Sequence, residues 1–264
     1  MTAEDGTRPP PAQPGWAYFL DVDGTLIEIA ERPDAVRVPG ELIRLLDRLR
    51  LVTGGACALV SGRSIAALDG LFAPVRMAAS GLHGVEWRGG DGVVHYAAAT
   101  DPASAEAETL DRALASARMS LDALVRRYPA LGLEDKGVTL ALHYRAAPEL
   151  EPEVLAATGA IVAARPELVA QPGKMVVELQ PAWVDKGRAV NRFMAMPPFH
   201  GRRPVFVGDD LTDEHGFAAV NALDGISVCV GDRVPSAATY RLRSVGEALD
   251  WLAGITEERS SDRR

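Results

Sequence analysis

Two short apolar runs, Ala17–Leu20 and Ala56–Val60, flank a helical stretch in which Leu42, Leu45, Leu46 and Leu49 share one face. Strands without polar alternation need cover on both faces, which calls for parallel pairing with helices packed on either side. The pair Pro39–Gly40 opens the helix between them. The same rhythm returns late in the chain. Val205–Val207 reads as a strand, Thr212–Val220 as a helix, Ile226–Val230 as a strand and Val245–Leu252 as a helix. The expected fold class is therefore α/β, a Rossmann-like core built on a parallel sheet.

The middle of the chain breaks this rhythm. A long helix is expected over about Ala103–Arg127, with Leu110, Leu114, Ala117, Leu121 and Leu124 along one stripe. Val138–Tyr144 alternates like a strand with one exposed face. A helix around Glu149–Ala164 and a strand at Met175–Leu179 follow. This block is expected to be an inserted α+β cap domain at 104–182, between core segments 16–103 and 183–255. Residues 1–15, rich in proline, are expected to be a disordered tail, and 256–264 a frayed polar one.

Composition narrows the class of partner. The 264 residues carry a net charge of −8, so a general attraction to nucleic acid or to an anionic membrane is excluded. A small anion held by a few local cations stays compatible with that charge. The cysteines, Cys57 and Cys229, are too few for a disulfide framework or a metal cluster and read as small buried apolar side chains. No apolar run reaches the ~18 residues of a membrane span. The opening MTAEDGTRPPPAQPG lacks the basic start and apolar stretch of a secretory signal, so a cytoplasmic location and a monomeric state are the expectations.

The chemistry collects where strands end. Asp21-Val22-Asp23-Gly24-Thr25 leaves the first strand, where open parallel sheets bind ligands. Alone, it is equally an Asp-Gly turn. Gly208-Asp209-Asp210-Leu211-Thr212-Asp213-Glu214 leaves a second strand. A helix N-terminus accounts for Asp213 and Glu214, but not for the adjacent pair Asp209 and Asp210. Acids brought together at one sheet edge call for a divalent cation with hard oxygen ligands, such as Mg²⁺. Ser61-Gly62-Arg63 offers a hydroxyl, amides and a guanidinium, although an N-cap explains a lone serine. Lys186, at a helix start beside that edge, would pin a phosphoryl group and keep the carboxylates ionised.

Taken together, the four segments resemble the haloacid-dehalogenase-like phosphohydrolases, whose motifs occur in this order and on such strand ends. Ser80–Glu86, Leu133–Gly137, His143–Arg145, Gly173–Glu178 and Gly208–Phe217 are similar to those of the trehalose-6-phosphate phosphatases, over about Tyr18 to Leu252. The resemblance implies Mg²⁺-dependent hydrolysis of a small sugar phosphate through an aspartyl-phosphate, with a hydrolase core and a cap. It implies Asp21 as nucleophile, Asp23 as acid and base, and Lys186 with Ser61 and Gly62 on the phosphate, with Arg63 on the phosphate or on the sugar. It implies metal ligation by Asp21, Asp23 (through its carbonyl) and Asp209, with Asp210 alongside. Asp210 and Asp213 act through metal-bound water or by orienting Lys186, and the sequence does not rank the two. Glu134, Lys136 and Glu178, with His83 and Glu86, are implied as sugar ligands. Two connections to the inserted block, near Ala103 and Ala182, would allow hinge closure that excludes water, and that closure is expected to bring Glu134, Lys136 and Glu178 over the phosphate. Gln180 departs from the family, which commonly has a basic residue there. Read without the resemblance, Glu134 and Lys136 are an exposed charge pair, His143 a packed or surface histidine and Trp183 a packing residue. The rivals are a sucrose- or hexose-phosphate phosphatase, a phosphomutase and a non-catalytic sugar-phosphate sensor.

Overall fold

The computed structural model describes residues 7–29, 38–96 and 105–261. The chain divides into two compact units, one built from Met1–His95 with Asp185–Arg264, the other from Tyr96–Val184. In chain order the first half of the first unit carries β1 (Ala17–Leu20), α1 (Gly40–Val52), β2 (Cys57–Val60), α2 (Ile65–Leu71), β3 (Ala78–Gly81), β4 (Glu86–Arg88) and β5 (Val94–Tyr96). The second unit follows with α3 (Ala105–Arg127), β6 (Gly132–Asp135), β7 (Leu140–His143), α4 (Glu151–Ala164), β8 (Leu168–Gly173) and β9 (Val176–Pro181). The chain returns to the first unit through α5 (Lys186–Met194), β10 (Pro204–Gly208), α6 (Glu214–Asn221), β11 (Ile226–Val230), β12 (Tyr240–Leu242) and α7 (Val245–Ser261).

The α/β expectation holds. The large sheet runs β12-β11-β10-β1-β2-β3-β4-β5, parallel from β12 to β3 and antiparallel from β3 to β4. β1 sits at its centre, with Leu20 opposite Val207 on one side and Leu59 on the other. The chain leaves β1 toward β2 and comes back much later as β10. The end of β1 is thus the switch point where such sheets leave a crevice for a ligand.

Alternation along β1 divides the core. Tyr18 and Leu20 join Leu42, Leu45, Leu46 and Leu49 of α1 and Trp251 and Leu252 of α7. Ala17 and Phe19 face the other way, onto Val190 and Phe193 of α5 and Phe217 of α6. Helices therefore cover both faces, and β1, β2, β10 and β11 are wholly buried. The two cysteines are buried and unbridged, as expected of small apolar side chains.

In the second unit the antiparallel order is β6-β7-β9-β8. Leu140, Leu142, Val177 and Leu179 face α3 and α4 and form that unit's core with Leu110, Leu114 and Leu121. The opposite face is polar. Glu134 lies across from Ala141, and Ala141 from Glu178, which puts the two carboxylates in one row.

The tails differ from expectation. Residues 7–15 pack onto the first unit: Ala12 is buried, the Trp251 indole N–H donates to the Pro10 carbonyl, and the Tyr18 hydroxyl donates to the Gln13 carbonyl. A proline-rich segment makes no ladder of its own, and here side chains of the folded unit supply partners for its backbone. At the other end, α7 continues to Ser261 rather than stopping near Leu252. The remaining parts of the expected tails, 1–6 and 262–264, and the expected hinge at Ala103 lie outside the described residues.

Candidate active site

The site forms where β1 and β10 end side by side. Asp21 follows β1 directly, and its amide donates to the Val207 carbonyl, which ties it to the neighbouring strand. Gly24 turns the chain back at φ +87, and a Cβ there would run into the Asp209 carboxylate. Only glycine permits both the left-handed turn and the close approach of the two loops. Thr25 then points its hydroxyl between the two acids, 3.4 Å from Asp21 Oδ2 and 3.2 Å from Asp209 Oδ1.

Lys186, the first residue of α5, is almost fully buried. Its ammonium donates to Asp21 Oδ1 at 2.7 Å and to Asp213 Oδ1 at 2.6 Å. Asp213 is completely buried, and its second oxygen accepts the amides of Asp209 and Asp210, both at 2.9 Å. Asp213 therefore holds Lys186 with one oxygen and the 209–210 turn with the other. Asp210 sits outside this cluster, and its carboxylate accepts the Leu211 amide at 2.6 Å as an N-cap.

Three carboxylates thus face a single ammonium. Carboxylate oxygens of Asp21, Asp209 and Asp213 lie within 4.8 Å of one another. Burial, reinforced by repulsion from Asp213, raises Asp21 well above the usual carboxylate range, with Lys186 opposing the rise. The same two causes push Asp209 up to about 7. Burial alone would lower Lys186, but attraction to Asp21 and Asp213 outweighs it and holds the amine above an ordinary lysine. The cluster has more buried negative charge than its lysine neutralises. A set of hard oxygen donors short of one cation suits a small divalent ion such as Mg²⁺.

Beside this cluster, Asp23 receives a side-on pair of hydrogen bonds from Arg63, Nε to Oδ2 and Nη2 to Oδ1, both 2.7 Å. Arg63 belongs to the loop after β2, where the Ser61 Oγ accepts the Arg63 amide. The segment after β3 clamps that loop. Leu82 N–H donates to the Arg63 carbonyl and His83 N–H to the Ser61 carbonyl. His83 has a positive φ of 57, and its ring lies so close to Gly62 that a Cβ there would be 2.5 Å from Nε2. Glu86 is engaged too, with Oε1 accepting the Ile65 amide at 2.5 Å at the head of α2. His83 and Glu86, expected on the sugar, both hold the loop that carries Ser61 and Arg63.

In the second unit, Lys136 Nζ lies 3.3 Å from Glu178 Oε1, which also accepts from the Thr139 hydroxyl at 2.7 Å. His143 sits 3.1 Å from Glu134 Oε2 and holds that carboxyl below its usual range. All three expected sugar residues therefore belong to one polar sheet face. Trp183 packs against that unit's core. Gln180 is buried and donates weakly to the Val184 carbonyl.

Thr25 and Thr139 have no role in the sequence reading, and the lysine-orienting role of Asp213 stands there only as one of two unranked alternatives. Thr25 is four residues after Asp21 and Asp213 four after Asp209, and those spacings were the available signal.

A parallel sheet carrying acidic loops at its central switch point defines the class: the fold is that of the phosphatases of the haloacid-dehalogenase superfamily. The model of the trehalose-phosphatase family matches residues 19–245. The chain belongs to this family, and so to the phosphoric monoester hydrolases. It is 40% identical over 250 residues to a trehalose-6-phosphate phosphatase of Escherichia coli, covering 95% of this chain and 90% of that protein. It is 45% identical over 236 residues to a probable trehalose-phosphate phosphatase of Sinorhizobium fredii, covering 89% and 84% respectively. Among solved structures, the C-terminal domain of the Candida albicans trehalose-6-phosphate phosphatase shares the fold, with a TM-score of 0.77 at 22% identity over 91% of this chain and 92% of that one.

Proposed function

We propose that this chain hydrolyses trehalose 6-phosphate to trehalose and phosphate through a phosphorylated Asp21, with Mg²⁺ as cofactor. The observation that carries this reading is the buried group of Asp21, Asp209 and Asp213 around Lys186 at the sheet switch point, in a chain of the trehalose-phosphatase family.

Asp21 is the nucleophile. A carboxylate oxygen forms a bond to phosphorus as the bond from phosphorus to the sugar oxygen breaks. Asp23 gives a proton to that departing oxygen. It then takes one from the water that cleaves the phosphorylated Asp21 and releases phosphate, so proton and carboxyl return to their starting state. Lys186 stays on Asp21 and neutralises charge on the transferring oxygens, aided by the Ser61 hydroxyl and the Gly62 amide. Oxygens of Asp21 and Asp209, with the Asp23 carbonyl, would hold the metal. Asp213 has one oxygen held by Lys186 and the other by two amides, which suits it to orient rather than to ligate, whereas the second oxygen of Asp21 has only the Thr25 hydroxyl at 3.4 Å. Bound Mg²⁺ supplies the positive charge that the cluster lacks and that phosphoryl transfer requires. The row of Glu134, Lys136 and Glu178 selects the sugar, because a hydroxyl missing from a wrong substrate leaves one of these groups unpaired.

Phosphate release from trehalose 6-phosphate, sucrose 6-phosphate, glucose 6-phosphate and an aryl phosphate, with Mg²⁺ and with chelator, tests the reading. The expected result is a Mg²⁺-dependent preference for trehalose 6-phosphate. In the same panel, Glu178→Ala raises KM for that substrate and leaves the aryl phosphate within about threefold. A preference for another sugar would remove the substrate assignment, and full activity in chelator would remove the metal.

A further inference from the structure

Asp23 has two opposite proton transfers to perform, so its carboxylate has to keep one orientation through both. Its side chain sits partly exposed on a turn. Among the described residues, its carboxylate hydrogen bonds are the two from Arg63. We infer that Arg63 is the positioning residue for Asp23 rather than a ligand of the phosphate. The inference deepens the phosphatase reading and rests on it.

Three observations carry it. The first is geometry: a side-on guanidinium engages both oxygens at 2.7 Å and so fixes the carboxylate plane, which a single-point donor does not do. The second is the rigidity of the mount. The Arg63 amide is held by Ser61 Oγ and its carbonyl by Leu82 N–H, and two residues on, the Ile65 amide is held by Glu86. The arginine side chain is itself largely buried. The third is division of labour. Lys186 already places a cation on Asp21, whereas the Arg63 fork is spent on Asp23. When the sugar phosphate binds, Arg63 keeps one oxygen of Asp23 and releases the other, which takes up a proton from solvent and passes it to the leaving group.

A leaving-group test separates this role from phosphate binding. An alkoxide needs a proton to leave and an aryloxide hardly does, and kcat/KM reports the steps up to loss of the leaving group. Arg63→Met is expected to lower kcat/KM for trehalose 6-phosphate about 100-fold and for p-nitrophenyl phosphate less than about threefold. Arg63→Lys, which keeps charge and reaches one oxygen, recovers part of the loss. In an Asp23→Asn background, Arg63→Met adds less than about a twofold further loss, because its partner is already disabled. Equal losses on both esters, or losses that multiply in the double variant, overturn the inference. A wild type that turns over the aryl ester but no sugar phosphate overturns the substrate reading alone. The same double-variant comparison is then made on the aryl-ester kcat, since cleavage of phosphorylated Asp21 still draws on Asp23.

Discussion

At the scale of single residues, the site is organised by shared carboxylates. Asp213 is the clearest case, since its two oxygens serve Lys186 and the 209–210 amides at once. Replacing it with Asn keeps the size but removes the charge that holds the ammonium toward Asp21. Asp213→Asn should lower kcat about 100-fold with KM changed less than threefold, the pattern of an interaction made mainly in the transition state. Steady-state kinetics on the sugar phosphate measures this, and a raised KM at unchanged kcat would reassign Asp213 to substrate binding. The acids themselves were legible in the sequence, because two carboxylates leaving a strand end at i and i+2 stand out against an apolar run. Which partner each one takes was not. Asp23 meets Arg63 across 40 residues and Lys186 meets Asp213 across 27, and such pairings are set by the packing of separate loops.

At the scale of elements, the loop that carries Arg63 depends on how α2 is fastened to the sheet. Asp69 on α2 accepts a bidentate pair, both 2.7 Å, from Arg88 of β4, which is buried and also donates to the Met77 carbonyl. The Arg88 hydrogen bond, opposed by burial and helped by Arg76, holds Asp69 below the usual carboxylate range. A depressed folded-state value adds stability above the ordinary Asp range, and that stability is lost as pH falls through the folded value. Asp69→Asn should therefore cost about 2 kcal/mol at neutral pH, with the gap to wild type closing in acid. Urea unfolding at a series of pH values checks it, and a gap independent of pH would contradict the ion-pair account. The parallel strands and α1 were readable because their apolar runs and stripes are uninterrupted. β3, β4, β5, β6, β8 and β12 were not, because they are short, hold glycine or proline as in Pro172–Gly173, or place charges at a sheet edge as in Glu134–Asp135.

At the scale of the molecule, the two units divide the work. In the proposed reading, one carries the reacting groups and the other a polar sheet face suited to sugar hydroxyls. The net charge of −8 opposes an anionic substrate at long range, so under the proposed mechanism attraction has to be local, through Lys186 and the proposed Mg²⁺. The chain's rhythm of strand and helix made this division legible, while the boundary residues were obscured by apolar and polar stretches that continue across it. The central claim, that phosphate passes through Asp21, is tested most directly by mass spectrometry of Asp23→Asn quenched in acid during turnover of an aryl phosphate with Mg²⁺. That variant forms the covalent species without needing a proton for the leaving group and lacks the base to remove it. The account predicts one added phosphoryl group on the peptide containing Asp21, absent when Asp21 is also changed to Asn. Turnover with no phosphorylated peptide, or a phosphoryl group on another residue, would contradict it.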